Sequence, residues 1–326
     1  MAVTVELTIG RVFDFHGDSV GCQGRYSYNR SGKPLSLCSE GFSPTTPLVL
    51  QETQYLDEQA LTGRWHAAQP VGPLLSGTWT SADGKRQLPF ELRESYADAI
   101  RYEVLTASAT GRICDPEDTL GGVNGPNSIL TRDYLHLLSP ATVRLGLRRL
   151  QCPTPARRRA QLRRDARQEE CVYLTENVNV DLNGYGLLSI WRGRDEEGFG
   201  HLHPYYSWRN TVYDLHTGQA LRLSDLLRPQ TDSLLLCLIM PRLERYLADF
   251  YDRKISKLDQ EPGLPESGFS LTSEGILFMY GESDGVASWP CIEQSVVIPY
   301  RELLPLLRAH SPLAALLQDR GLRAVP

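Results

Sequence analysis

The chain has 326 residues, 41% of them hydrophobic and 22% charged, a balance that suits a folded globular protein and excludes global disorder, collagen-like repeats and coiled coil. Its length is about twice that of an ordinary single domain, so two domains are expected. Thirty-four Lys and Arg against 39 Asp and Glu give a net charge of −5, which offers no global positive field to nucleic acid or to an anionic membrane.

The first ten residues, Met1 to Gly10, alternate apolar and polar side chains and lack the basic and apolar regions of a signal peptide, so they predict a strand. From there to residue 112 the chain is rich in Gly, Ser, Thr and aromatics, with short alternating runs that predict an antiparallel β meander or barrel-like domain. Leu88 to Arg93 is the clearest strand. A weak repeat runs through this part: Gly24-Arg25-Tyr26, Thr62-Gly63-Arg64-Trp65 and Gly77-Thr78-Trp79, the first and last followed by a glycine turn and a second strand. Asp83-Gly84 is a direct hairpin signal, because glycine accepts the positive φ of a tight turn. The aromatics of the repeat are read as sheet packing, the usual role of such residues on a pleated surface.

Residues 113–170 read as a connector and an Arg-rich helical segment. Turn formers are dense from Asp115-Pro116 to Asn127, after which Thr131 predicts the cap of a helix through Tyr134, Leu135, Leu137 and Leu138. A second helical piece is expected from Pro140 to Leu150, and Thr154-Pro155 opens a third over Ala156 to Glu170.

Residues 171–326 predict an α+β domain with a mixed or antiparallel sheet packed by helices. An extended segment from Val172 to Leu182 turns at Asn183-Gly184 into Leu187 to Trp191, and Tyr205 to Leu215 forms the next strand. Ser224 is the expected cap of a short helix. The main helix covers about Asp232 to Lys254, with Leu235, Ile239, Leu243, Tyr246 and Phe250 on one face and a kink at Pro241. Strands at 269–272, 275–280 and 296–299 precede a helix from Tyr300 to His310 and a last one near Pro312 to Arg320. The longest apolar run, Leu234 to Met240, falls far short of the roughly 20 residues a bilayer demands.

The seven cysteines are scattered singly, with no metal spacing and no disulfide framework, although Cys22 and Cys38 could meet across a hairpin. His201-Leu202-His203 would put two rings on one face of an extended segment, behind Asp195, Glu196 and Glu197, but no third ligand follows at a defined spacing. Between Arg144 and Arg167 nine arginines are opposed only by Asp165, the one local positive field of the chain. A solvated helix face is the simpler reading of it, and no aromatics interleave to stack bases. Neither Gly-x-Ser-x-Gly nor a phosphate loop between strand and helix is present, and no carboxylate pair is marked by spacing alone. No enzyme, cofactor or metal is indicated.

Gly186-Leu187-Leu188-Ser189, His203, Asp214-Leu215-His216-Thr217-Gly218-Gln219 and Leu223-Ser224-Asp225-Leu226-Leu227 follow one another in a recognisable order, continued by Phe269 to Phe278 and Val297-Ile298-Pro299-Tyr300-Arg301-Glu302-Leu303. Residues 171 to 310 thereby resemble the extracytoplasmic domain shared by the lysozyme-sensing anti-sigma factor RsiV and the non-catalytic part of the peptidoglycan deacetylase PdaC. The resemblance implies an exported, non-catalytic α/β module that binds a protein such as lysozyme or a peptidoglycan fragment. Localisation is then extracytoplasmic if a leader is missing from this chain, and cytoplasmic otherwise. The expected ligand contacts are His201, His203, Tyr205, Trp208 and Trp289, side chains that combine area with a polar tip. Two other functions stay open: a cell-wall or carbohydrate hydrolase pairing His203 with a carboxylate such as Glu197, and a cytoplasmic interaction protein using the arginine-rich helix.

Overall fold

The structure, a computed structural model, describes residues 3–13, 19–28, 32–39, 47–54, 57–68, 73–113, 127–138, 147–168, 172–198, 205–251, 263–281, 284 and 294–323. It is a mostly-sheet α+β protein that divides into two compact units, Met1–Ser95 with Gln318–Gly321, and Tyr96–Leu317 with Leu322–Pro326. Among the described residues no helix is long and apolar enough to cross a membrane.

The first unit holds the expected meander. Strands β1 (Val3–Phe13), β2 (Ser19–Tyr28), β3 (Pro34–Ser39), β4 (Leu48–Gln54), β5 (Asp57–Ala67), β6 (Leu74–Ser81) and β7 (Gln87–Arg93) pair in chain order, every neighbour antiparallel. In β4 burial alternates, with Leu48, Leu50 and Glu52 inside and Val49 and Gln51 outside, as the period of two requires. The inward residues join Tyr26, Leu37, Trp65, Ala67 and Leu75 in one core. In the β2–β3 register Cys22 stands opposite Ser39 and Cys38 opposite Gln23, so the two cysteines are not direct cross-strand partners.

The three Gly-x-aromatic copies do more than fill that core. Glu52 is only 2% exposed, and its Oε2 accepts from the Tyr26 hydroxyl at 2.7 Å, from Trp65 Nε1 at 2.7 Å and from Trp79 Nε1 at 2.8 Å. Thr62 donates to Oε1 at 2.6 Å. A buried carboxylate accepts only, so four donors are what keep it satisfied without water. Register explains the glycine: Gly63 lies opposite Glu52 on β4 and Ser81 on β6, and the Trp79 indole crosses the place where a Cβ at Gly63 would stand. Burial, with the Glu52 carboxylate beside it, holds the Tyr26 hydroxyl protonated far above the usual phenol range.

The second unit contains two sheets. The larger runs in the order β13-β12-β11-β10-β9-β8, built from β8 (Tyr102–Ile113), β9 (Asn127–Leu137), β10 (Val172–Gly184), β11 (Leu187–Gly198), β12 (Tyr205–Asp214) and β13 (Ala220–Leu221). Its pairs are antiparallel except β9 with β10, which are parallel and joined through a single turn at Leu147–Leu150 and helix α1 (Pro155–Gln168). Parallel neighbours need such a crossover. The residues around Thr131 therefore form a strand where the spacing of Tyr134, Leu135, Leu137 and Leu138 predicted a helix. Two separate covers imitate helical periodicity: Leu130 packs with Leu162, Ala166 and Leu174 beneath α1, while Leu135 and Leu137 join Leu147, Leu150, Val178, Val180, Leu188 and Ile190. Likewise β8, whose alternation continued that of the front part, pairs with β9.

The β10–β11 turn also differs from expectation by two residues. Gly184 still pairs with Leu187, and the turn is Tyr185-Gly186, at φ 58° and 74°. Asn183 instead closes both hydrogen bonds of Ile100, Nδ2 donating to its carbonyl at 2.7 Å and Oδ1 accepting from its N–H at 2.9 Å.

The smaller sheet, β14 (Phe269–Leu271), β15 (Gly275–Tyr280) and β16 (Gln294–Pro299), is antiparallel and packs with α2 (Leu223–Leu226), α3 (Asp232–Tyr251), α4 (Tyr300–Leu303) and α5 (Ala314–Asp319) around the largest apolar core, which includes Leu226, Leu235, Ile239, Leu243, Phe278, Ile298 and Leu316. The cap of α2 is Arg222, not Ser224: the Asp225 carboxylate reaches back to the Arg222 N–H at 2.7 Å. Helix α3 ends among the described residues at Tyr251, with Pro241 on its exposed side. The predicted helix from Tyr300 to His310 stops at Leu303, because Leu307 pairs with Leu227 as an antiparallel bridge. The two sheets meet through Ser189, which accepts from the Leu271 N–H at 2.8 Å and lies 2.7 Å from the Ser270 hydroxyl, itself bonded to Asp181.

Glu52→Gln places an amide group where at least one of four donors loses its acceptor, so we expect a loss of about 3 kcal/mol in chemical unfolding followed by tryptophan fluorescence. An unchanged midpoint would show that the carboxylate is not the organising group of this sheet.

Candidate functional site

The most developed polar arrangement of the second unit is an ion-pair row that crosses β9, β10 and β11. Register places Arg132, Glu176, Arg194 and Ser207 in one rung over β9, β10, β11 and β12, so their side chains share a face. Arg132 pairs with Glu176 through Nε and with Asp165 of α1 at 2.8 Å. Arg194 lies 3.8 Å from Glu176 and 2.9 Å from Glu196. Burial works against the Arg132 charge, but the carboxylates of Glu176 and Asp165 outweigh it and raise its pKa. In the next rung Glu196 stands opposite Tyr205, and on the other side Arg192 stands opposite Arg209, both exposed.

Helix α1 sits on this face. Leu162 and Ala166 point to the sheet, and Arg158 lies over the Tyr134 ring at 5.6 Å while donating to Cys152 Sγ at 3.2 Å. Arg157, Arg159, Arg163, Arg164 and Arg167 are exposed. Asp165, the only acidic residue of the helix, is committed to Arg132. An exposed run of arginines thus lies over the β8–β9 side of a sheet face that presents Arg192 on β11, and Arg209 and Tyr205 on β12, the last 52% exposed.

The opposite face of the β11–β12 ribbon carries Trp208, Asn210 and Val212 against Gly193, Trp191 and Ser189. Trp208 donates to the Met279 carbonyl at 3.4 Å and lies on Gly281, where an added Cβ would come within 3.1 Å of the ring. Trp191 covers Gly193 in the same way. Asn210 is 7% exposed, its backbone N–H donates to Ser267 at 2.8 Å, and neither of its amide atoms, nor the Trp191 indole N–H, has a partner among the described residues. Near the end of the ribbon Asp195 accepts from the Asn177 amide at 3.1 Å, and burial pushes its carboxyl above the usual range.

Of the five expected contact residues, Tyr205 and Trp208 are described, and strand alternation sends them to opposite faces. Tyr205 belongs to the charged face, whereas Trp208 is half-buried against the smaller sheet. His201, His203 and Trp289 lie outside the described residues, as does any pairing of His203 with Glu197, which is exposed at the end of β11. Arg132, Glu176 and Arg194 went unnoticed in the sequence because their partnership depends on strand register; the one local signal was the lone Asp165 among arginines.

Taken together, the elements define a protein of two sheet-rich units, the second an α+β unit with one charged sheet face. No family model matches the chain, and no curated protein does. Among solved structures the chain is similar to a DUF3298 family protein of Bacteroides fragilis, at 16% identity and a TM-score of 0.50, over 68% of this chain and 98% of that one. A DUF3298 family protein of Pseudomonas aeruginosa shows 18% identity and a TM-score of 0.45 over 65% and 95% of the two chains. At this identity the first likeness is one of fold.

The raised Asp195 pKa has a definite sign. The folded state holds that proton above the pH at which the unfolded chain releases it, so stability falls as pH rises from the ordinary carboxylate range through the folded value. Asp195→Asn is expected to flatten that limb of the pH–stability curve and to leave the protein no less stable at neutral pH, as thermal unfolding between about pH 4 and 7 would read. A variant less stable at neutral pH would refute this sign.

Proposed function

We propose that the second unit is a non-catalytic, extracytoplasmic recognition module and that its ligand is an acidic cell-wall polymer of the peptidoglycan type. One observation carries this reading: the exposed arginines of α1, with the single acid of that helix engaged by Arg132, adjoin a sheet face bearing Arg192, Arg209 and the exposed Tyr205. Guanidinium groups pair with planar carboxylates, which peptidoglycan stem peptides carry, and a tyrosine ring offers area to a sugar with a polar edge. Motif order in residues 171–310 supports the compartment, through its resemblance to the exported RsiV and PdaC domain. The same charge favours an acidic ligand over a cationic protein partner.

The full chain should co-sediment with purified peptidoglycan and be released as salt rises from about 50 to 500 mM, because exposed pairs are screened over such a range. Arg163→Glu combined with Arg167→Glu should weaken retention at least tenfold, and Tyr205→Ala several-fold without altering the salt dependence. Retention indifferent to salt and to both changes would overturn the reading, as would binding of lysozyme in place of peptidoglycan.

A further inference from the structure

Strand β8 closes one end of the larger sheet, with β9 on one side and, among the described residues, no strand on the other. Its bonding pattern shows which groups face outward. The Leu138 N–H donates to the Arg101 carbonyl at 2.8 Å, and bonded positions alternate along an antiparallel pair, so Leu105, Ala107 and Ala109 bond to β9 while Val104, Thr106, Ser108 and Thr110 turn their N–H and C=O groups away from it. All four of these residues are exposed. From Val104 to Thr110 the strand has no charge and no proline, and its register with β9 is unbroken, so it lacks the devices that normally keep a free edge from pairing. Glu103, just before it, is engaged by His136 at 2.7 Å.

Helix α1 overhangs this edge. Ala107 and Ala109 pack with Leu162 and Ala166 beneath the helix, whereas Arg158 and Asp165 leave it on the flank toward β9, for Tyr134 and Arg132. At about 3.6 residues per turn, Arg159, Arg163 and Arg167 form a row on the other flank, above the outer side of β8. All three are exposed, and the acceptor that Arg159 Nε meets at 3.4 Å, the Pro155 carbonyl, is neutral, so the row has no ion-pair partner among the described residues.

We infer that the β8 edge takes up an extended acidic segment of a partner protein as a seventh strand of this sheet. Main-chain bonds to Val104, Thr106, Ser108 and Thr110 supply the attachment, and carboxylates beneath α1 supply the selection. The two spacings agree. Successive arginines of the row lie about 6 Å apart along the helix, and alternate residues of a strand, which share a face, lie about 6.6 Å apart. Acidic residues at every second position therefore meet one arginine each. A second copy of this chain fits worse, because two-fold pairing of β8 with itself would bring two arginine rows together on one face. This partner goes beyond the cell-wall reading: Arg163 and Arg167 are common to both surfaces, but the free edge is not.

The probe is the peptide acetyl-Thr-Glu-Val-Glu-Thr-Glu-Val-amide, compared with the same peptide carrying Gln for each Glu. Each is titrated into the full chain by calorimetry, with amide hydrogen exchange followed by two-dimensional NMR. Saturable one-to-one binding of the acidic peptide is expected, at least tenfold tighter than that of its amide counterpart, with exchange slowed at Val104, Thr106, Ser108 and Thr110 and unchanged at Leu105, Ala107 and Ala109. Ser108→Pro removes an outward donor at a position where an edge strand tolerates proline. It should weaken the peptide at least tenfold and leave retention on peptidoglycan as it was. Equal affinity for the two peptides, unaltered exchange at the four outward amides, or undiminished affinity in a folded Ser108→Pro would overturn the proposal. Should that variant fail to fold, the exchange pattern of the unmodified chain decides by itself.

Discussion

A single parallel pairing governs the layout of the second unit. Strands β9 and β10 run side by side in the same direction within a sheet that is otherwise antiparallel, and a chain can achieve this only by leaving the sheet and returning across its face. Helix α1 is that return. Its inward Leu162 and Ala166 meet Leu130 and Leu174, one from each of the two parallel strands, so the pairing and the helix position define each other. Arg132 then ties the layers with one carboxylate from the helix and one from β10. Exposed surface ion pairs contribute little, but these groups are largely shielded and arranged in series, where removing one member strands the next.

The same crossover turns a cationic helix into a surface. Six arginines would repel one another on an isolated α1, and the sheet eases this by taking Arg158 onto the Tyr134 ring and Asp165 onto Arg132 while Arg157, Arg159, Arg163, Arg164 and Arg167 are exposed. A solvated charged face, the simpler reading of that segment, is thus a correct description of its packing. The structure adds where it lies: over β8 and β9, on the sheet face that further along presents Arg192, Arg209 and Tyr205 from β11 and β12.

In the first unit the organising group is of the opposite kind, one negative charge inside an apolar sheet. Glu52 is held by three aromatic donors that arrive from β2, β5 and β6. The recurrence of glycine two residues before each aromatic has a steric reason at Gly63, where an indole from the next strand passes over the backbone. Such a network specifies register, because a slip of one residue would turn Glu52 outward and leave the donors without an acceptor.

What the amino-acid sequence determined by itself was whatever depends on neighbours along the chain. The meander of the first unit, the Asp83-Gly84 turn, the Pro155 start of α1, the course of α3 and the strands of the smaller sheet all rest on local periodicity and turn chemistry. Residues 127–137 escaped it, since two different covers on one strand mimic helical spacing. The contacts among Tyr26, Glu52, Trp65 and Trp79 and the ion-pair row from Asp165 to Glu196 were decided only by tertiary structure. Each joins side chains from separate elements, and which of them meet is set by strand register and crossover, quantities that no run of adjacent residues encodes.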